Sequence, residues 1–179
     1  MMRVIASGYF VLLFAACAEI PRPPINPVVA AIQIVIDKDC GQPAIDQIAS
    51  GINAWHEEAS VCTSIVVRDV ENDKMSWIED GEITIYFAGA GWRKFVFDEL
   101  SKDTQWIALT VMPTGDIFIP RNDKKMRQLA MHELGHAFGL EHSTNRMSVM
   151  YSFAWGGPQS ITRDDARQVS TLLADYRCR

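Results

Sequence analysis

The stretch His132-Glu133-Leu134-Gly135-His136-Ala137-Phe138-Gly139-Leu140-Glu141-His142 carries three of the chain's 4 histidines, and its spacing organises everything around it. On an α-helix, at about 100° per residue, His132 and His136 lie roughly 40° apart, so both imidazoles leave the same side one turn apart. Met126, Ala130, Leu134, Ala137 and Phe138 gather on the opposite side. A helix of that kind packs on a sheet while its histidines face a cleft. Asn122 is placed to cap it, and the pattern runs from Asp123 to about Leu140, with Gly139 as a stop signal.

Two imidazoles leave a zinc ion underbound, because catalytic zinc takes three protein groups and keeps one position for water. His142 is the third candidate, since Gly139 permits the positive φ that ends a helix and brings the chain back beneath the metal. Glu133, about 100° around the helix from His132, reaches water at such a metal without ligating it and is the candidate general base. One catalytic Zn2+ is therefore expected. It lowers the pKa of its water towards about 7, Glu133 takes the proton, and the hydroxide attacks a peptide carbonyl polarised by the same ion. Glu133 then passes the proton to the leaving amine. Shuffles of this composition contain H-E-x-x-H on the order of once in several hundred, and the long form with Gly139 and His142 on the order of once in 10⁵. A helix with incidental histidines is thereby set aside.

Working outward, Ile32-Gln33-Ile34-Val35-Ile36 reads as a strand, and Pro43 to Glu58 as a helix whose Ile45, Ile48, Ile52 and Trp55 recur at helical spacing. Ser64 to Arg68 and Ile83 to Phe87 are short β-branched strands. Strand, helix, strand in that order implies a parallel pair with a right-handed crossover. Trp106 to Met112 and Asp116 to Ile119 are two further strands, and the turn Pro113-Thr114-Gly115 between them implies a hairpin. A last helix fits Thr162 to Tyr176, opened by the Thr162…Asp165 pattern, with Ala166, Val169, Leu173 and Tyr176 along one side. The class is α+β: a twisted mixed sheet with an active-site helix, a backing helix and a C-terminal helix.

The chain has 179 residues, 48% of them hydrophobic, which suits one domain with a packed core. A net charge of −5 speaks against nucleic acid or anionic lipid as general partners. Met1 to Arg3 followed by the apolar run Val4 to Ala16 has the form of a secretory signal, too short to span a bilayer. Leu13 to Cys17 resembles a bacterial lipobox, which would place a lipid on Cys17; ordinary cleavage near Ala16 or Ala18, with release, is the alternative. Residues 1–17 are thus the signal, 18–28 a Pro-rich tether and 29–179 a single domain. Besides Cys17 there are Cys40, Cys62 and Cys178, and an oxidising compartment would join two of them.

The histidine stretch resembles the H-E-x-x-H-x-x-G-x-x-H pattern of metzincin proteases, a zincin-like fold. Ser148-Val149-Met150-Tyr151 resembles their Met-turn, which implies that Met150 packs beneath the metal without binding it. Ser143 after the third histidine, Tyr151 after the methionine and Ile161 to Asp165 are most similar to matrixins. The likeness spans roughly residues 33 to 179. It implies that the strand bearing Leu109, Thr110 and Val111 is the sheet's edge, receiving an extended peptide by β-augmentation. It also implies that Tyr151 to Pro158, with Phe153 and Trp155, walls the pocket beside the scissile bond.

Ser152 stands where matrixins carry proline, and the His and Asp groups of their structural zinc have no counterpart. His56, the remaining histidine, reads as a solvent- or dipole-facing residue at the end of the first helix. Cys40-Gly41-Gln42-Pro43 resembles a latency switch only superficially, because it follows a core strand. Astacins, another metzincin branch, bridge two cysteines at positions like Cys62 and Cys178, and that likeness implies a Cys62–Cys178 disulfide. Closing so long a loop is worth about 4 to 5 kcal/mol in the chain-entropy account.

The expected protein is thus an exported zinc metalloendopeptidase, monomeric, acting on peptides or proteins, and either anchored to a bacterial membrane through Cys17 or released as a secreted or periplasmic enzyme. The contrasting reading is a lipid-anchored zinc-binding surface protein of the same fold without catalysis, against which Glu133 argues. A gluzincin, with a Glu from a later helix as third ligand, is disfavoured by Gly139 and His142.

Overall fold

The computed structural model describes residues 31–70, 82–87, 108–111, 115–119, 125–152 and 159–178. The signal, the whole of the tether, Cys17, Asn122, Phe153 and Trp155 lie outside the described residues.

Strand β1 (Ile32–Asp37) is the centre of the architecture. Its consecutive Ile34, Val35 and Ile36 are all fully buried, and because successive side chains alternate faces, both faces of the strand are covered. It pairs in parallel with β2 (Thr63–Arg68) on one side and β3 (Glu82–Phe87) on the other. Next to β3 comes β5 (Asp116–Ile119), also parallel, and antiparallel to β5 runs β4 (Leu109–Val111), so the order is β2-β1-β3-β5-β4. The hairpin expected around Gly115 forms, and among the described residues β4 is the last strand on that side of the sheet.

Helix α1 (Gln42–Ala59) connects β1 to β2 and extends one residue beyond each end of the Pro43–Glu58 reading. Its Ile45, Ile48, Ile52 and Trp55 are buried, as their spacing requires. Helix α2 (Met126–Ala137) packs on α1, with the Trp55 indole donating to the Met131 carbonyl at 2.9 Å. The start of α2 corrects the expected Asp123: Lys125, at φ −134° and ψ 10°, stands outside the helix and offers no side-chain cap to its first N–H groups. A Lys ammonium can only donate, so it cannot satisfy them.

Helix α3 (Arg163–Leu172) has the expected Thr162–Asp165 capping box, then tightens into a short 3-10 turn, Ala174–Tyr176, where a continuous helix to Tyr176 was expected. Ala166 and Val169 are buried, and Leu173 and Tyr176 pack against the core. The C-terminal tail returns to the α1–β2 junction. Cys62 N–H donates to the Tyr176 carbonyl at 2.7 Å and Cys178 N–H to the Ser60 carbonyl at 3.0 Å. There the structure joins Cys62 to Cys178, with Cα atoms 5.0 Å apart, while Cys40 is buried and stands outside the disulfide. His56, beside this bridge, donates from Nδ1 to the Val61 carbonyl at 2.9 Å. No helix of the described residues is long and apolar enough to cross a membrane.

Candidate metal centre

The end of α2 determines where the third histidine goes. Gly139 takes φ 95°, its N–H donates to the His136 carbonyl at 2.8 Å, and Leu140 N–H donates to the Gly135 carbonyl at 2.9 Å. Those two bonds are a Schellman closure, which needs a residue free to adopt positive φ. Beyond it the chain reverses, and His142 comes back to the histidines of the helix.

The three Nε2 atoms converge. Nε2 of His136 is 3.2 Å from Nε2 of His132 and 3.2 Å from Nε2 of His142. Nδ1 of His132 meets the Val149 carbonyl at 2.7 Å, and Nδ1 of His136 the Leu140 carbonyl at 2.8 Å. A carbonyl oxygen only accepts, so in both rings Nδ1 carries the hydrogen and Nε2 presents a lone pair inward. Lone pairs facing each other at 3.2 Å repel, and a cation between them removes the repulsion. Zn–N distances of about 2.0–2.1 Å in a tetrahedral site separate ligand nitrogens by roughly 3.3–3.4 Å, close to what is seen. The donor set therefore fits zinc, and among the described residues these three histidines form the one group with ligand atoms close enough to share an ion.

Glu133 lies beside the triad and is buried, with the Thr110 hydroxyl 2.7 Å from Oε2. Met150 is fully buried against the same helix, so tightly that a Cβ on Gly135 would sit 2.2 Å from its sulfur. The loop carrying Met150 is closed by Ser143 N–H donating to the Met150 carbonyl at 2.8 Å, which pairs Ser143 with half-buried Tyr151.

The sequence profile of the matrixin family of peptidases matches residues 53–174, which contain the whole triad, Glu133 and the Met150 loop. The chain belongs to the matrixin family. Among the described residues, its five-stranded mixed sheet and three helices are those of a matrixin catalytic domain. Metalloproteinase-II from Bacteroides fragilis is a similar solved structure, at 13% identity and a TM-score of 0.47, with 87% of this chain and 56% of that one covered. The present chain thus spans about half the length of that protein. No curated protein matches it.

Several supports of this matrixin site were not visible in the motif. Ser148 connects the Met150 loop to α3: its hydroxyl donates to the buried carboxylate of Asp165, at 2.8 and 2.9 Å from the two oxygens, and accepts from Met150 N–H at 2.9 Å. Asp165 had been legible only as a helix cap. The carbonyls of Val149 and Leu140, and the side chain of Thr110, were likewise unassigned. Leu109, Thr110 and Val111 form the last strand of the sheet among the described residues, beside α2.

Gly135 is the narrowest point. Gly135→Ala is expected to force Met150 aside and to destabilise the domain by about 1–3 kcal/mol, the usual range for overpacking. Urea unfolding of the zinc-loaded protein checks this, and an unchanged midpoint would show that Met150 has room to move.

Burial lowers the pKa of His132 to about 4, outweighing the bond to the Val149 carbonyl, and His136 and His142 add to the lowering. Burial likewise lowers that of His136. Glu133 moves the other way, raised by burial to about 7 against the opposing Thr110 hydrogen bond. In metal-free protein the signs are opposite. His132 contributes stability that is present above its ordinary 6.5 and is lost as pH falls through about 4. Glu133 contributes stability that is present below its ordinary 4.5 and is lost as pH rises through about 7. Glu133→Gln removes only the second contribution, so the stability of the variant should climb more steeply than wild type between pH 4.5 and 7. Urea midpoints of both apo-proteins across that range test it; parallel curves would contradict the burial argument.

Proposed function

We propose that this matrixin is a zinc-dependent endopeptidase, exported from a bacterial cell, that hydrolyses internal bonds of peptides or proteins. The observation that carries the reading is the convergence of three imidazole Nε2 atoms beside one buried carboxylate. His132, His136 and His142 would hold the ion, and Met150 and Gly139 would shape the floor and the turn beneath it. A zinc ion held there supplies Lewis acidity, which acidifies water and polarises a peptide carbonyl. Glu133 does the proton work: Oε2 is engaged by Thr110, and Oε1 is left to take a proton from water and hand it to the departing amine. Strand β4, last in the sheet among the described residues, offers backbone groups to an extended substrate, which favours a chain threaded past the site over a free terminus. Tyr151, Phe153 and Trp155 belong, on this reading, to the wall of the side-chain pocket.

Export is supported by the Met1–Ala16 signal pattern and by the Cys62–Cys178 bridge, since disulfides persist in oxidising compartments. A lipid on Cys17 would hold the enzyme at a membrane. Mass spectrometry of the mature N-terminus tests that part: a diacylglycerol adduct on Cys17 is expected, and an unmodified terminus beginning near Ala18 would show release.

The activity itself is tested by incubating purified, zinc-loaded protein with a mixed peptide library and reading the cleavage sites, with Glu133→Ala as control. Cleavage at internal bonds is expected. Cleavage no greater than the control's would leave a metal-binding surface protein of matrixin fold.

A further inference from the structure

The side chain of Thr110, on β4, reaches the carboxylate of Glu133. Its Oγ1 lies 2.7 Å from Glu133 Oε2 and 3.0 Å from the Glu133 carbonyl oxygen. The hydroxyl has a single hydrogen, so it donates to one of these at a time, and the carboxylate contact is the shorter.

The backbone of the same residue faces the other way. The Val111 carbonyl accepts from Gly115 N–H at 2.8 Å, so it points towards the turn that leads into β5. Successive carbonyls of a strand point to opposite sides, and in antiparallel pairing the N–H and C=O of one residue share a side. The N–H and C=O of Thr110 therefore point away from β5. Among the described residues β4 is the last strand of the sheet on that side, so both groups lie on its open edge.

We infer that Thr110 is a positioning residue for Glu133: the strand that aligns an extended substrate also holds the general base, through one side chain. This rests on the proposed peptidase activity and adds to it a coupling between the substrate edge and the proton-transferring group. With the hydroxyl in place, Glu133 is fixed in one rotamer with Oε1 presented to the site. Without it, the buried carboxylate loses the hydrogen bond that orients it, and the productive rotamer becomes one of several. Substrate pairing to the backbone of β4 is unaffected, so the loss belongs to kcat and not to KM.

The test compares two pairs of side chains that differ only in the hydroxyl: Thr110 against Thr110→Val, and Thr110→Ser against Thr110→Ala. Each is measured as zinc-loaded protein on a peptide the wild type cleaves. General acid–base groups contribute about 10²- to 10⁴-fold, and partial loss of their orientation is expected to lower kcat about 10- to 100-fold in each pair with KM unchanged. Thr110→Ser should stay within about threefold of wild type. Equal kcat within both pairs, a change carried by KM, or failure of Ser to restore kcat would overturn the assignment.

A second readout needs neither metal nor turnover. In apo-protein, the shifts in urea midpoint of Thr110→Val and Glu133→Ala should be non-additive in the double variant, because the two residues share one bond. Additive shifts would overturn the coupling even if a variant were too unstable for kinetics. Should wild type and Glu133→Ala both fail to cleave any peptide, the peptidase reading falls, while the apo-protein cycle still decides whether Thr110 holds Glu133.

Discussion

Replacing Glu133 by alanine is expected to lower kcat about 10²- to 10⁴-fold while one zinc per chain remains bound. The separation of the two effects follows from geometry. The ligand atoms are three imidazole nitrogens within 4.8 Å of one another, and the carboxylate is turned towards Thr110. Removing it therefore leaves the metal grip intact. In the metal-free protein burial raises its pKa to about 7, and it is this carboxylate that is proposed to take and return the proton. Alanine removes that capacity together with a charge that is costly to bury, so the variant should be no less stable than wild type at pH 7. Glu133→Gln, which keeps the volume and loses the base, should be as inactive as alanine. The checks are kcat on a peptide taken from the library cleavage and zinc content by elemental analysis. Activity within tenfold of wild type would remove Glu133 from the chemistry; loss of zinc would mean that it binds the ion.

Replacing both Cys62 and Cys178 by alanine should cost about 4–5 kcal/mol, because the bridge closes a loop with a sequence separation of 116. Domains of this size are stable by about 5–15 kcal/mol, so the loss is a large part of the whole. With a urea slope of about 1–3 kcal/mol per molar, the midpoint should fall by roughly 2 M. Zinc affinity should change little. The α3 helix stays docked on α1 through the Ser170 hydroxyl, which donates to the Ala59 carbonyl at 2.7 Å, and the Ser148–Asp165 contact lies at its far end. Local fraying at the Val61–Arg177 bridge is the expected structural change. A midpoint shift below about 0.5 M would mean that the bridge constrains the unfolded chain far less than its loop length implies.

Whatever depends on periodicity was legible in the sequence. The four apolar positions of α1 repeat at helical spacing, the Ile32–Ile36 run reads as a strand, and Pro113-Thr114-Gly115 marks the hairpin. The triad was legible for the same reason, since a spacing of four places two imidazoles on one helical side and Gly139 permits the return of the third. Contacts that any residue could supply left no mark. The carbonyls of Val149 and Leu140 that set the histidine tautomers are backbone groups, identical at every position. Thr110 and Ser148 are 23 and 17 residues from their partners and meet them only through sheet and loop geometry. The start of α2 was misplaced because Asn122 made a better cap on paper than Lys125, and the helical backbone begins only after Lys125. The Cys62–Cys178 pairing was suggested by likeness to another branch of proteases, and it is the return of the tail to the α1–β2 junction that brings the two sulfurs together.

The proposed chemistry requires that His132, His136 and His142 hold one zinc ion together. X-ray absorption spectroscopy at the zinc edge, on stoichiometrically loaded protein and on His142→Ala, tests this most directly. Three nitrogen scatterers from imidazole at about 2.0–2.1 Å are expected in the wild type and two in the variant, with weakened binding. Failure to retain one zinc per chain, or a first shell that is the same with and without the His142 imidazole, would contradict it.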